Sequence, residues 1–219
     1  MELHTSAYAG SMDPVRIRFS PAPQRRNRLT TAFRPILAIP HLILVGGPIF
    51  LAASWHDADY GWGAESGVLG AVASICAFIL WFAVIFTGHG PDGLSGLIAF
   101  YLRWRVRASA YVSLLRDEYP PFGDGDYPVA LEIETLFGAR NRLTVAFRVF
   151  LAIPHVIAIC FIGFAWTFTT IIAWFAILIT GHYPEGLYDF GMGALRWSTR
   201  VEAYMLLVHD EYPPFSLRA

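Results

Sequence analysis

Long apolar stretches alternate along the chain with shorter segments that mix polar and apolar residues. The apolar stretches cover residues 29–54, 67–87 and 143–180. The first two have the length of a transmembrane helix. The third would be far longer than the bilayer core as one helix, so it predicts two helices of about 17 residues with a tight turn near 165–169. A re-entrant hairpin that does not fully cross is the alternative.

A segment with 3.6-residue periodicity follows each apolar region, which predicts an amphipathic helix. Tryptophan lies on the apolar face of each segment, as Trp104 and Trp197, and arginine lies on the polar face. This combination is typical of a helix in the membrane interface, with its apolar side toward the acyl chains. A helix packed on a soluble core is the alternative.

Two short segments, 15–19 and 129–133, alternate with a period of two and predict β-strands. An isolated strand is not stable, so each needs a partner. That partner is either the other strand or another subunit.

The same motifs occur twice in the same order. RLT and AIPH recur 114 residues later, whereas WFA, TGH, RW and DEYPPF recur 93 residues later. The difference of 21 residues is an insertion in the first copy, which includes the acidic segment 54–67. The sequence therefore predicts a flexible tail at 1–12, a first repeat at 13–122, a linker at 123–125 and a second repeat at 126–219.

Charge is scarce and unevenly placed. The chain is 55% hydrophobic and 15% charged, which indicates an integral membrane protein, and its net charge of −1 gives no reason to expect nucleic-acid binding. All 16 basic residues are arginines, none of which lies between Arg34 and Arg103 or between Arg148 and Arg196, while the insertion is acidic. The positive-inside rule then predicts that both termini and both amphipathic helices are cytoplasmic.

These features predict an all-α integral membrane fold of two tandem repeats. Each repeat has a short N-terminal strand, a transmembrane helical hairpin and an amphipathic interfacial helix. Because both repeats have the same orientation, they would be related by a pseudo-two-fold axis along the membrane normal.

Two histidines, His41 and His155, lie near the middle of predicted spans. An ionisable residue at that depth is a candidate functional residue. One interpretation is a bis-imidazole site for haem b or a metal ion on the pseudo-two-fold axis. The other is a neutral imidazole bonded to a carbonyl that the adjacent Pro40 or Pro154 leaves free; it requires no cofactor, and we expect none.

Basic and aromatic side chains at the predicted membrane boundary are candidates for contact with lipid phosphate or a partner subunit. These candidates are Arg34, Arg148, Arg103, Arg107, Arg196, Arg200, Trp104 and Trp197. Paired carboxylates at 117–118 and 210–211 suggest either acid–base chemistry or side chains that lie in water or pair with the arginines of their own repeat.

The motifs RLTxAFRxxLAIPH, WFAxxxTGH, PxGL, RW and DEYPPF resemble a family of bacterial membrane proteins classified as a domain of unknown function, often found in tandem. The resemblance covers nearly the whole chain and implies a helical membrane domain. It implies no activity and no catalytic residue.

The sequence therefore favours a non-enzymatic, multi-pass protein of the bacterial cytoplasmic membrane, acting as an accessory or scaffold subunit of a larger complex. Its expected partners are membrane lipids and either other membrane subunits or further copies of the chain. A transporter or channel component is one alternative. A haem- or metal-binding redox protein that uses His41 and His155 is another.

Overall fold

The computed structural model describes residues 14–21, 23, 25–48, 67–134 and 140–218. The predicted tail at 1–12, nearly all of the segment 54–67 and the end of the first apolar stretch lie outside these residues. The described elements are β1 (Val15–Phe19), α1 (Arg28–Leu37), α2 (Ile39–Val45), α3 (Gly67–Thr87), α4 (Asp92–Val112), β2 (Val129–Ile133), α5 (Arg142–Ala146), α6 (Arg148–Thr180) and α7 (Glu185–Met205).

These elements stack in three layers. The long apolar helices α3 and α6 form the first layer, and the short helices α1, α2 and α5 pack against them. The second layer is α4 and α7, which pack against α3 and α6 respectively and against each other. The third layer is the β1–β2 ribbon, in which β1 contacts α7 and β2 contacts α4.

The two predicted strands are confirmed, and they pair with each other in an antiparallel ribbon. Ile17 lies opposite Leu131 at its centre, with Val15 opposite Ile133 at one end. Because residue 17 aligns with residue 131 between the repeats, the register is symmetric about this central pair. Ile17 and Leu131 face the core, while Arg18 forms an exposed ion pair with Glu132 on the other face.

In the second repeat, the apolar stretch forms one continuous 33-residue helix, α6. The predicted turn near 165–169, and with it the predicted hairpin of the second repeat, is wrong. The hydroxyls of Thr167 and Thr169 bond to backbone carbonyls one turn earlier, so these polar residues are accommodated within the helix. The physical reason is a stripe of nine buried residues, spaced by three and four, that packs against the protein along the whole helix.

The apolar part of the first repeat differs from α6 because it is interrupted. α1 and α2 meet at a bend of 42°, so the single helix predicted over 29–54 is replaced by two short helices as far as the chain is described. A Cβ on Gly67, which has φ +70°, would meet the backbone of Gly46 and Leu44 at 2.5–2.7 Å. The first residue of α3 therefore abuts the end of α2.

The repeat alignment explains this junction. Val45 and Gly67 align with Ile159 and Cys160, which are consecutive in α6. The residues on either side of the 21-residue insertion therefore lie next to each other. Together, α2 and α3 are the interrupted counterpart of most of α6.

The predicted repeats interlock. The indole Nε1 of Trp81 in α3 donates to the carbonyl of Val145 in the second repeat, at 3.0 Å. In the reciprocal contact, Nε1 of Trp174 in α6 donates to the carbonyl of Thr31 in the first, also at 3.0 Å. Each repeat therefore completes the packing of the other, so the sequence repeats are not separate structural bodies.

The prediction that α4 and α7 are interfacial helices is wrong, because both lie inside the protein. The face of α4 expected to meet acyl chains is buried at Ile98, Tyr101 and Ala108. Arg107 on the other face is buried as well. The apolar layer covers one side of these helices and the ribbon the other, which leaves little surface for lipid.

Two helices, α3 and α6, are long and apolar enough to cross a membrane. The bent pair α1–α2 would add a third span if it acts as one. Within the described part of the chain these are fewer than the four predicted spans. The composition of α3 and α6 remains compatible with a membrane protein.

Candidate functional site

The motifs of each repeat converge on one group of side chains, which we call a motif cluster. The first cluster is Arg34, His41, Trp104, Asp117, Tyr119 and Phe122, and the second is Arg148, His155, Trp197, Asp210, Tyr212 and Phe215. Each cluster joins the helical segment that carries AFR and AIPH, the helix that carries RW and the DEYPPF segment that follows it. The repeated motifs therefore describe a spatial contact as well as a sequence pattern.

Arg34 closes the C-terminal end of α4. Arg34 is 1% exposed, and its Nη1 donates to the carbonyls of Tyr111 and Arg116 at 3.2 and 2.8 Å. Its Nη2 pairs with Asp117 at 2.8 Å, and its guanidinium lies 4.6 Å from the centre of the Tyr111 ring. A cation at a helix C-terminus is stabilised by the carbonyls left free there.

Arg148 makes the same contacts at the end of α7. It donates to the carbonyls of Tyr204 and His209 at 2.7 and 2.9 Å, and it pairs with Asp210. Arg140 also binds this carboxylate, with its Nε 2.9 Å from Oδ2. Burial alone would raise the pKa of Asp210, but the hydrogen bonds and charges of Arg140 and Arg148 outweigh it and hold that pKa below its usual range.

The predicted contacts between carboxylates and arginines of the same repeat are therefore confirmed for Asp117 and Asp210. Both aspartates are held as ion-pair partners of buried arginines. Neither arrangement resembles two carboxylates free to exchange a proton with a substrate.

His41 is enclosed by aromatic side chains of its own repeat. Its Nδ1 accepts a hydrogen bond from Nε1 of Trp104 at 3.0 Å, and its ring stacks on Phe122 with centroids 4.6 Å apart. An indole N–H can only donate, so Nδ1 carries no proton and the neutral ring has its proton on Nε2. The carbonyl of Pro120 lies beside the ring, although Nε2 makes no hydrogen bond of good geometry.

His155 has the same surroundings. Trp197 donates to its Nδ1 at 3.3 Å, Phe215 stacks on it at 3.8 Å and Tyr212 lies 4.8 Å away. The structure thus gives each histidine an indole partner rather than the helix carbonyl predicted next to the proline. Within the described ranges, no three His, Cys, Asp or Glu side chains are grouped so that they could hold a metal ion.

Six of the eight residues predicted to contact lipid or a partner are buried. They are Arg34, Arg148, Arg107, Arg200, Trp104 and Trp197. Arg107 donates to the Gly123 carbonyl at 2.9 Å, for example, and Arg200 donates to the Ser216 carbonyl at 2.6 Å. These side chains have little surface to offer a ligand.

The other two candidates are half-buried. Arg103 pairs with Asp124 at 3.2 Å, and the guanidinium of Arg196 lies 5.2 Å from the centre of the Phe19 ring. Contact of Arg103 or Arg196 with lipid or a partner stays a prediction.

Sequence reasoning missed a polar group where α4 and α7 meet. Nε of Arg105 lies 3.1 Å from Glu202, and its Nη1 donates to the Tyr101 hydroxyl at 2.7 Å. That hydroxyl donates to Glu202 at 3.1 Å. Burial, together with the charge of Glu202, raises the pKa of Tyr101, so the phenol stays neutral and can donate.

This group occurs once, not twice. Arg105 aligns with Ser198 in the other repeat, and Glu202 aligns with Ser109. All four residues line a cavity of about 230 Å³. The sequence contains one signal for this group: Arg105 and Glu202 have opposite charges, and each aligns with a serine in the other repeat.

A second, apolar groove separates α1 and α2 from α6. It has a volume of about 450 Å³, and its lining includes Pro35, Leu42, Ile171 and Phe175. Arg34 and Thr170 also line it, and the Arg34 Nε and Thr170 hydroxyl are buried polar atoms without a hydrogen-bond partner. Its apolar rim is continuous with the exposed surface of α6.

Comparison with protein families gives two matches to one family model, described as a domain of unknown function (DUF4389). They cover residues 63–123 and 142–216, together more than half of the chain. This chain belongs to the DUF4389 family. Each match falls in one predicted repeat, as expected for a family domain present in two copies, and the second includes a complete motif cluster. Neither curated proteins nor solved structures provide a match to the chain.

Proposed function

We propose that this chain is a non-enzymatic component of the bacterial cytoplasmic membrane, an accessory or scaffold subunit of a larger complex in contact with lipid. The observation that carries the proposal is the exposed apolar surface of α3 and α6. Phe86, Phe161 and Ile179 are 72%, 75% and 73% exposed, and similar side chains cover the length of both helices. A soluble monomer rarely exposes such a continuous apolar surface.

The motif clusters support a structural role. In both, the arginine and aspartate are paired, and the histidine ring is fully buried against tryptophan and phenylalanine. A catalytic site needs a pocket where such groups converge on a substrate. Here they fasten the DEYPPF segment to the helices of its repeat.

The apolar groove supports the lipid contact. An acyl chain fits a groove with apolar walls, and a lipid oxygen would accept a hydrogen bond from the Thr170 hydroxyl at its floor. The groove opens on the surface that the proposal assigns to the membrane. Positive charges flank the apolar segments, which favours a cytoplasmic location for both termini.

The test is extraction of the tagged chain with its surrounding bilayer, followed by native mass spectrometry. We expect membrane lipid and another membrane subunit at fixed stoichiometry, recovered again when that subunit carries the tag. Phe164→Glu on the exposed face of α6 should lower the membrane-bound fraction at least several-fold. Ala130→Glu, exposed on the ribbon, is the matched control. Recovery of wild-type chain as a lipid-free soluble monomer would overturn the proposal.

A further inference from the structure

We propose that α3 and α6 lie in the plane of the membrane, embedded in the cytoplasmic leaflet, and do not cross it. The inference rests on the proposed function, which places the apolar layer in a membrane. It concerns how that layer meets the lipid. The interacting surface is one broad face of the protein rather than a belt around it.

Protein covers one side of α6 from end to end. Near its start Arg148 binds the backbone of α7, and near its middle Trp166 lies against Gly191 of that helix. Near its end Ile177 packs on Leu114. No part of α6 long enough to cross a bilayer therefore stands clear of the protein body.

A crossing α6 would carry the charged helix α7 into the bilayer with it. A 33-residue helix is about 50 Å long, compared with about 30 Å of bilayer core. If α6 crossed, the central part of α7 behind it would share that depth. α7 carries Arg196, Arg200 and Glu202, and charged groups at that depth are strongly disfavoured.

Exposed charge on the ribbon lies far from the apolar helices. The Arg18–Glu132 pair lies on the outer face of the ribbon, and Asp124 is exposed in the segment before it. The Arg18–Glu132 pair belongs to the side opposite α3 and α6, because the ribbon packs on α4 and α7. A bundle that crosses a membrane has its exposed charges at its two ends, whereas this ion pair lies across α4 and α7 from the apolar layer.

The symmetry of the ribbon agrees with this placement. An axis through the Ile17–Leu131 pair relates β1 to β2 and, by repeat alignment, α4 to α7 and α3 to most of α6. The three layers differ from one another, so an axis that maps each layer onto itself must run along the stacking direction. With the helices in plane, that direction is the membrane normal, as the sequence predicts.

Thiol labelling at three exposed positions tests the orientation of α6. In a Cys76→Ala, Cys160→Ala parent, Glu211→Cys marks its start, Ala165→Cys its middle and His182→Cys its end. An impermeant maleimide is applied to intact cells and to inverted membrane vesicles. We expect both end positions to react only in inverted vesicles, and Ala165→Cys to react only after detergent is added. Ala130→Cys on the ribbon is the control and should label like the ends.

Each alternative gives a different pattern. A single crossing would label the two ends from opposite sides, and a hairpin would expose position 165 to the outside; either result overturns the inference. Labelling of both ends only in intact cells would overturn the choice of leaflet. Recovery of all variants in the soluble fraction would instead count against the proposed function.

A measurement on the wild-type chain makes the test independent of variant folding. Polarised infrared spectroscopy of the protein in oriented bilayers reports the average tilt of its helices from the amide I dichroism. Helices lying in the plane give a dichroic ratio on the opposite side of the isotropic value from helices along the normal. A ratio on the transmembrane side would overturn the inference.

Discussion

Arg105 and Glu202 form an ion pair between α4 and α7, with 3.1 Å between Nε and the carboxylate. Each of them aligns with a serine in the other repeat. The pair therefore joins the two repeats through a contact that a symmetric duplication would not contain. It also binds the end of α2, because Arg105 donates to the Val45 carbonyl at 3.3 Å, next to the insertion.

Removing one member of this pair should lower the free energy of unfolding more than removing both. Glu202→Ser leaves the Arg105 guanidinium buried without its main partner, and we expect a loss of about 2–3 kcal/mol, since Glu202 is 26% exposed. Arg105→Ser combined with Glu202→Ser gives both repeats the serine pair, and it should lose less than Glu202→Ser alone. Denaturant unfolding in detergent measures the difference. Strictly additive losses would contradict the coupling.

His41 and His155 should contribute independently and about equally to the free energy of unfolding. His41→Ala removes the acceptor of the Trp104 indole and the stacking partner of Phe122, so we expect a loss of about 2–4 kcal/mol. His155→Ala should lose a similar amount, and the double variant should lose the sum. A shared haem would couple the two losses and give a visible absorption band. His89→Ala, exposed after α3, is the control and should lose less than about 0.5 kcal/mol.

The pairing of Asp210 predicts a loss of stability in acid. Its pKa is lower in the folded chain than the unfolded value of about 3.9, so the folded state binds fewer protons in this range. The stabilisation is complete above the unfolded pKa and is lost as the pH falls through the folded one. Asp210→Asn should remove this part of the pH dependence, as measured by thermal unfolding from neutral pH downward. Glu211→Gln, exposed beside it, should leave the profile unchanged.

Filling the apolar groove should displace lipid without unfolding the protein. Ile171→Phe and Thr170→Ala introduce the residues found at the aligned positions Phe78 and Ala77. The larger ring occupies groove volume and the alanine removes the unpaired hydroxyl, so co-purified lipid should fall at least two-fold. Ile172→Phe, on the outward face of α6, is the control. Unchanged lipid content in the filled variant would argue against acyl-chain binding there.

A proline in the middle of α6 tests its continuity. Ala165→Pro removes a backbone donor inside the helix, and we expect a loss of about 3 kcal/mol or more. At the start of a tight turn the same change would be tolerated. Ala165→Ser provides the control, because residue 165 is exposed and serine keeps the backbone donor. Far-ultraviolet circular dichroism with thermal unfolding distinguishes the outcomes.

Much of the local structure follows from the sequence by itself. Period-two alternation located both strands, and Gly88 and Gly181 end α3 and α6 in the left-handed conformation typical of a helix terminus. The repeat arithmetic located the insertion, whose ends meet where Gly67 abuts Gly46. Ion pairing with the arginines of the same repeat was one interpretation that the sequence allowed for Asp117 and Asp210. These features depend on neighbouring residues or on strong opposite charges.

Only the tertiary structure decided what covers each apolar surface. The apolar face of α4 suits acyl chains and protein interior equally well, because the two are equally apolar, so periodicity could not show that Ile98 and Tyr101 pack inside. The continuity of α6 depends on α7 and the end of α4 meeting its buried stripe, a long-range contact without a local signal. Likewise His41 received its hydrogen-bond partner from Trp104, 63 residues away, which the composition of its own helix could not reveal.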